Sequence, residues 1–403
     1  MNISKYLIPC IFTVSLALAQ MPWEMPVSEE ASTPSSEPEP EPFYSPPPPP
    51  PPPPPASSRE PAPEAGKTIF DNVRGHAYNP YGTVGAARTV TDLVLLPSDI
   101  HGKKFFYVSP IDRLGYTAFD LGGASALLGL DNSVMGSPAA LIFGYATPGF
   151  GLALDLSLSK SWQTTADDTD ISTTNPGDNI GLYFSMPMGS MTLYANASWL
   201  TYDTSITMEN DGNKSKTDAS TIDANVGALG SAGSLNYDAY ANVIRTGTAT
   251  KTGNNTTASR DSHLGLILNF NLGYAALQSA NARMIAGLNN AVGIRFYDGA
   301  NAESNDNIIR ATISPNILGE VALVDNWFAF GGAIHNLAFQ IGDGDRESAT
   351  SYMALLHGPR TEGFMGVRYQ RTNWAFEAQV STNPFGAFAG NNIFTSFGGF
   401  VYF

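Results

Sequence analysis

With 403 residues, 43% of them hydrophobic and only 14% charged, the chain is long enough for a sizeable core; its formal net charge of −15 and lack of a basic stripe exclude a nucleic-acid partner. The lone cysteine, Cys10, falls in a leader described next, so the mature chain has no disulfide, thiolate nucleophile or cysteine metal ligand. After residue 19 no apolar run is long enough for a transmembrane helix, so the hydrophobic residues must be dispersed.

Residues 1–19 join a basic Lys5 to an apolar run from Tyr6 that ends Ala17-Leu18-Ala19, the pattern of a cleaved signal peptide. Pro9 stands where a lipoprotein site at Cys10 would want a small residue. Residues 20–66 are rich in Ser, Glu, Ala and Pro and include the unbroken run Pro46 to Pro55. Proline fixes φ and donates no backbone hydrogen bond, which predicts a disordered, extended arm. Its proline run alone would reach roughly 31 Å at about 3.1 Å per residue.

Residues 67–113 read as an irregular segment or a plug. Residues 114–403 repeat one theme: about ten residues alternating apolar and polar, then a very short turn or a long polar loop. Leu152, Leu154, Leu156 and Leu158 share one strand face, opposite Ala153, Asp155, Ser157 and Ser159. Leu264, Leu266, Leu268, Phe270 and Leu272 form another stripe, and Ile309, Ala311, Ile313, Ile317, Val321 and Leu323 a third. Around Gly331-Gly332 and His335-Asn336 the alternation breaks, which predicts a bulge.

Tight connections near Pro148, Met188, Gly233, Asp325 and Thr372 alternate with long polar ones. That pattern predicts an all-β fold, an antiparallel up-and-down transmembrane β-barrel with turns at one end and loops at the other. Trp162 and Trp199 fall near loop ends, and Trp327 and Trp374 follow turns, as aromatic girdles would. Counting from Leu114 gives fourteen strands; a further hairpin from Thr91 to Leu96 and Lys104 to Val108 would make sixteen. An even count returns the N-terminal arm to the turn side.

The chain closes on Phe397-Gly398-Gly399-Phe400-Val401-Tyr402-Phe403. A last strand ending in Phe403, with Val401 and Phe397 on the same face, resembles the signal that bacterial outer-membrane barrels present to their assembly machinery. The resemblance, which covers about ten residues, implies an outer membrane of the Gram-negative type. The arm would be periplasmic, the long loops extracellular, and the partners outer-membrane lipid and the assembly machinery. The arm could also reach peptidoglycan or a periplasmic protein. Asn72 to Leu96, with Gly75, Asn79-Pro80-Tyr81-Gly82 and Gly85, looks slightly like the N-terminal region that long-chain fatty-acid transporters fold inside the lumen, though no binding residue carries over.

If the apolar stripes face lipid, Asp155, Asp223, Asp238, Glu320 and Glu377 line the lumen together with Arg283, Arg295, Arg310 and Arg368. Opposed charges among Asn, Ser, Thr and Gly suit a hydrated channel, although any single pair could simply satisfy itself across neighbouring strands. The histidines His76, His101, His263, His335 and His357 are scattered, with no ligand spacing and no triad, so neither catalytic residues nor metal or cofactor ligands are expected. Asp343-Gly344-Asp345 and Asp167-Asp168 with Asp170 lack the spacing of a calcium loop. The expectation is a passive channel or uptake pore for small solutes; the alternative is a structural or surface-adhesion barrel with a wall-directed arm.

Overall fold

A computed structural model describes residues 72–132, 139–157, 163–166, 170–175, 178–208, 214–252, 258–299, 308–324, 326–343, 351–355, 360–382 and 396–403. The leader, the Pro-rich arm, Trp162, His357 and most of the acidic-loop residues lie outside these.

Nineteen strands form one sheet. They are β1 (Phe105–Ser109), β2 (Leu114–Asp120), β3 (Ser125–Asp131), β4 (Ala140–Ala146), β5 (Gly151–Ser157), β6 (Gln163–Ala166), β7 (Asp170–Asn175), β8 (Asn179–Met188), β9 (Met191–Met208) and β10 (Lys214–Ala232). There follow β11 (Leu235–Thr252), β12 (Ala258–Gln278), β13 (Ala282–Gly299), β14 (Ile308–Ala322), β15 (Trp327–Asp343), β16 (Ser351–Leu355), β17 (Arg360–Gln370), β18 (Trp374–Thr382) and β19 (Ser396–Tyr402). Sixteen of them close an antiparallel up-and-down barrel, sealed where Phe105 of β1 pairs with Ala118 of β2 on one side and Tyr402 of β19 on the other. The remaining three are loop extensions: β6 pairs with β7, β7 with the far end of β9, and β16 with the far end of β15.

Of the two counts read from the sequence, the pairing shows the alternative of sixteen rather than fourteen, for two reasons. The stretch read as one strand from Leu114 turns back at 121–124, where Leu121 N–H donates to Ala124 O, and becomes β2 and β3. Phe105–Ser109 supplies another strand ahead of Leu114, paired antiparallel with β2. Thr91 to Leu96 is not its hairpin partner; Asp92–Leu95 is one helical turn, α1, inside the barrel.

Outward positions form the apolar band foreseen from the alternation: Leu128, Phe143, Leu152, Leu182, Ile222, Val243, Leu268, Ile317, Val367 and Val401 are all exposed. A band of this extent, closed without a sheet edge, is what hydrocarbon requires of a spanning β structure. The barrel therefore spans a membrane.

The bulge expected near Gly331 is absent. The register of β14 against β15 is the same at Ile313↔Leu337 as at Asn316↔Ile334. Alternation fails there because the inner face of β15 is itself apolar, with Phe328, Phe330 and Ile334 all buried. A register shift occurs instead in β12 between Ala275 and Leu277, which leaves Tyr274 and Leu277 both facing out.

Candidate functional site

The apolar inner positions are explained by what lies against them. Residues 72–103 form a belt inside the barrel at its short-turn end. A parallel bridge between Arg74 and Thr89 folds the belt on itself, with Arg74 N–H donating to Arg88 O and Val90 N–H to Arg74 O. Asn79 clamps the next bend, its Oδ1 accepting from Thr83 N–H at 2.9 Å and its Nδ2 donating to Thr83 O at 3.1 Å. Thr89 and Asp92 set α1 by reciprocal bonds: Thr89 N–H to Asp92 Oδ2 at 2.8 Å and Asp92 N–H to Thr89 Oγ1 at 3.2 Å.

From there the belt tracks the wall nearly strand by strand. Thr83 Oγ1 donates to Asn316 Oδ1 on β14 at 2.8 Å, and Asn289 Nδ2 on β13 donates to Tyr81 O at 2.8 Å. Arg283 donates to Gly85 O, Ser98 N–H donates to Ser185 Oγ on β8 at 2.7 Å, and Gly102 N–H donates to Ser125 Oγ on β3 at 3.0 Å. Belt backbone meets wall backbone at two places where only glycine leaves room. A Cβ at Gly273 would strike Val84 O, and one at Gly151 would strike Pro97 and Ser98.

Two apolar clusters pack the belt. Val73, Val90, Leu93, Val94 and Ile100 join Tyr107, Tyr116, Leu127 and Ile142 across β1 to β4. Tyr78 and Ala87 join Leu318, Phe330 and Phe364, with the Tyr78 and Phe330 rings 5.3 Å apart.

Between the clusters lies a buried ion network. Arg74, 1% exposed, pairs with Glu320 and stands 3.6 Å from Glu377, which in turn pairs with the fully buried Arg368. Gly75 N–H donates to Glu377 Oε2 at 2.6 Å, Tyr78 hydroxyl to Glu320 Oε2 at 3.1 Å, and Arg368 to Tyr402 hydroxyl at 2.6 Å. Two cations and two anions alternate, so each charge keeps a counter-charge in a buried site. Burial pushes the Tyr78 hydroxyl upward and the neighbouring Glu320 adds to this, so the phenol stays protonated and donates.

Opposite β9 to β13 the belt leaves space. A cavity of about 830 Å³ is bounded on one side by Asn79, Arg88, Asp92 and Leu95, and on the other by Tyr194, Asn225, Asp238, Asn242 and Asn269. Its lining begins at Ser190 and Ser231, exposed at the short-turn rim, and reaches mid-strand Asn242 and Ile267.

The nine charged positions picked from the sequence fall into distinct settings. Glu320, Glu377 and Arg368 meet in the ion network, Arg283 holds the belt at Gly85, and Asp238 faces the cavity while accepting from Tyr194 hydroxyl at 2.7 Å. Asp223 accepts from Asn225 at 3.2 Å and from Asn242, beside the cavity. Asp155 accepts from Asn179 at 3.4 Å on the β5 wall, and Arg310, exposed, pairs in register with Gly293 further from the turns. Arg295 holds the inward parity of Arg283, and its side chain lies outside what is described. Phe403, Val401 and Phe397 lie exposed on the last strand and its end. Sequence reasoning missed Arg74, Tyr78 and Leu95, since an irregular segment has no period from which to read a face. Among the described residues no group of His, Cys, Asp and Glu is arranged to hold a metal.

No family model matches the chain and no curated protein sequence does. Among solved structures it is similar to the copper transporter OprC at 9% identity and TM-score 0.32, over 70% of this chain and 60% of that one. It is also similar to the β domain of the Bordetella autotransporter Brka at 13% and 0.28, over 64% and 98%. A third, at 9% and 0.30 over 66% and 96%, is OmpT, an outer membrane protein of Vibrio cholerae. At such scores these likenesses carry no weight beside the strand pairing itself.

Proposed function

We propose that the chain is a bacterial outer-membrane barrel that passes small solutes through a side passage between its N-terminal belt and strands β9 to β13. The observation that supports this most is the cavity of about 830 Å³ whose lining runs from the exposed turn rim past the belt to mid-barrel. Its lining mixes Asn, Ser, Thr and Tyr with apolar residues such as Leu95, Ile244 and Ile267, whereas the inner wall on β1 to β4 is packed with apolar side chains and tyrosines. In this reading the lumen-lining charges serve two purposes: Glu320, Glu377, Arg368 and Arg283 anchor the belt, and Asp238 and Asp223 border the path. The protein has no catalytic role and no cofactor, Phe403 closes the strand read by the assembly machinery, and the arm of residues 20–66 lies on the periplasmic side toward the cell wall.

The competing reading is a structural or surface-contacting barrel, favoured by the buried ion network and the packed clusters on the β1 to β4 side. Planar-bilayer recording of the refolded full chain separates the two. Discrete conductance steps are expected, and none above background would leave the structural barrel standing.

A further inference from the structure

The cavity is chemically uneven, and we propose that it takes neutral polyhydroxylated solutes, sugars and close analogues, in preference to anions. The inference rests on the passage reading above and names its solute class.

One wall is a ladder of amides. Asn225 Nδ2 donates to Asn196 Oδ1 at 2.7 Å, and Asn242 Nδ2 donates to Asn225 Oδ1 at 2.5 Å. Amides donate and accept, as hydroxyls do, so a polyol can exchange its water partners for this wall group by group. The ladder ends unfinished: Asn242 is 7% exposed, yet its Oδ1 has no hydrogen-bond partner. An acceptor left unmet is unfavourable, and a solute that brings a donor to it is favoured.

Apolar and aromatic groups border the same space. Leu95, on α1, is 46% exposed toward a cavity whose other members include Leu96, Ile267, Tyr194 and Tyr240. The two tyrosine rings stand 6.4 Å apart, tilted by 54°. A sugar ring has a C–H face and a hydroxyl rim; aliphatic and aromatic surface suits the first and the amide ladder the second.

The charges argue against anions. Arg88 is the cation in the lining and already donates to Asp99 at 2.7 Å; Asp92 and Asp238 are the anions, and Asp223 stands behind Asn242. An entering carboxylate would meet these acids, and the cation among the described lining residues is already paired with Asp99.

Liposome swelling with the refolded full chain, comparing isosmotic glucose with sodium gluconate, tests this directly. Glucose should enter roughly fivefold faster or more, since like charge opposes the anion. Maltotriose should block the potassium chloride conductance, with block weakened about tenfold in Asn242→Ala, the scale of one hydrogen bond. Leu95→Ala, on the exposed face of the belt, should weaken block even if Asn242→Ala does not fold. Equal glucose and gluconate rates in a conducting barrel, or block unchanged in both folded variants, would overturn the solute class and leave the passage intact. Absence of conductance and swelling alike would overturn both.

Discussion

Arg74 ties a segment of the belt to strands far along the chain, since its partner Glu320 is 246 residues away. Removing one member of a buried, compensated set leaves an unpaired charge, which typically costs about 3–5 kcal/mol. Arg74→Met should therefore loosen the belt strongly, and Arg74→Met with Glu320→Gln should be less damaging than the single change predicts. Unfolding from lipid vesicles and protease access to the belt both report this. Strictly additive effects of Arg74→Met and Glu320→Gln in the double variant would show that the pairing is not what holds Arg74. Tyr78→Phe isolates one bond of the same set: it keeps the ring against Phe330 and deletes the donor to Glu320. The expected loss is about 1.5–3 kcal/mol, the scale of a hydrogen bond to a charged group, and smaller than that of Tyr78→Ala.

Strands β9 to β13 run 18 to 21 residues, against five to seven for β1 to β5. At about 3.4 Å per residue the long ones exceed 60 Å, well beyond an apolar band of about 25 Å. Alternation exposed these strands in the sequence because one side of each meets lipid and the other a polar lumen. The same rule failed where the lumen is not polar. The stretch around Phe330 broke the pattern because the inward ring of Phe330 meets Tyr78, and Phe364 beside it meets Tyr81, both far upstream in a segment without periodicity. The short β2 and β3 merged into one reading because Leu121 to Ala124 is a four-residue turn amid apolar neighbours. Parity picked charged positions of one face, but the grouping of Glu320, Glu377 and Arg368 into an ion network was not legible, since it depends on Arg74. Facing is testable on β12, where Leu268 is exposed near the middle of its outward stripe and Asn269 lines the cavity. Leu268→Arg should cost about 2–4 kcal/mol in lipid and Asn269→Arg much less, measured by denaturant titration from vesicles. The reverse order would invert the assigned faces.

Across the whole molecule the interior is divided. On the β1 to β4 side and along β14, β15 and β17 it is packed with apolar side chains and paired ions, and on the β9 to β13 side it is open and lined by amides and hydroxyls interspersed with aliphatic side chains. The belt makes this division, hugging one half of the wall and standing off part of the other. A passage there predicts that conductance is governed from β10, and the protein offers a clean background because its lone cysteine is Cys10 in the expected leader. Asn225 borders the cavity while its neighbour Val226 faces out, 61% exposed. Cysteine placed at each position in turn, treated with a bulky water-soluble thiol reagent during single-channel recording, is the most direct test. Block after labelling at 225, with no change at 226, is the predicted result; block at 226 alone, or unaltered current with 225 fully labelled, would contradict a passage between the belt and β9 to β13.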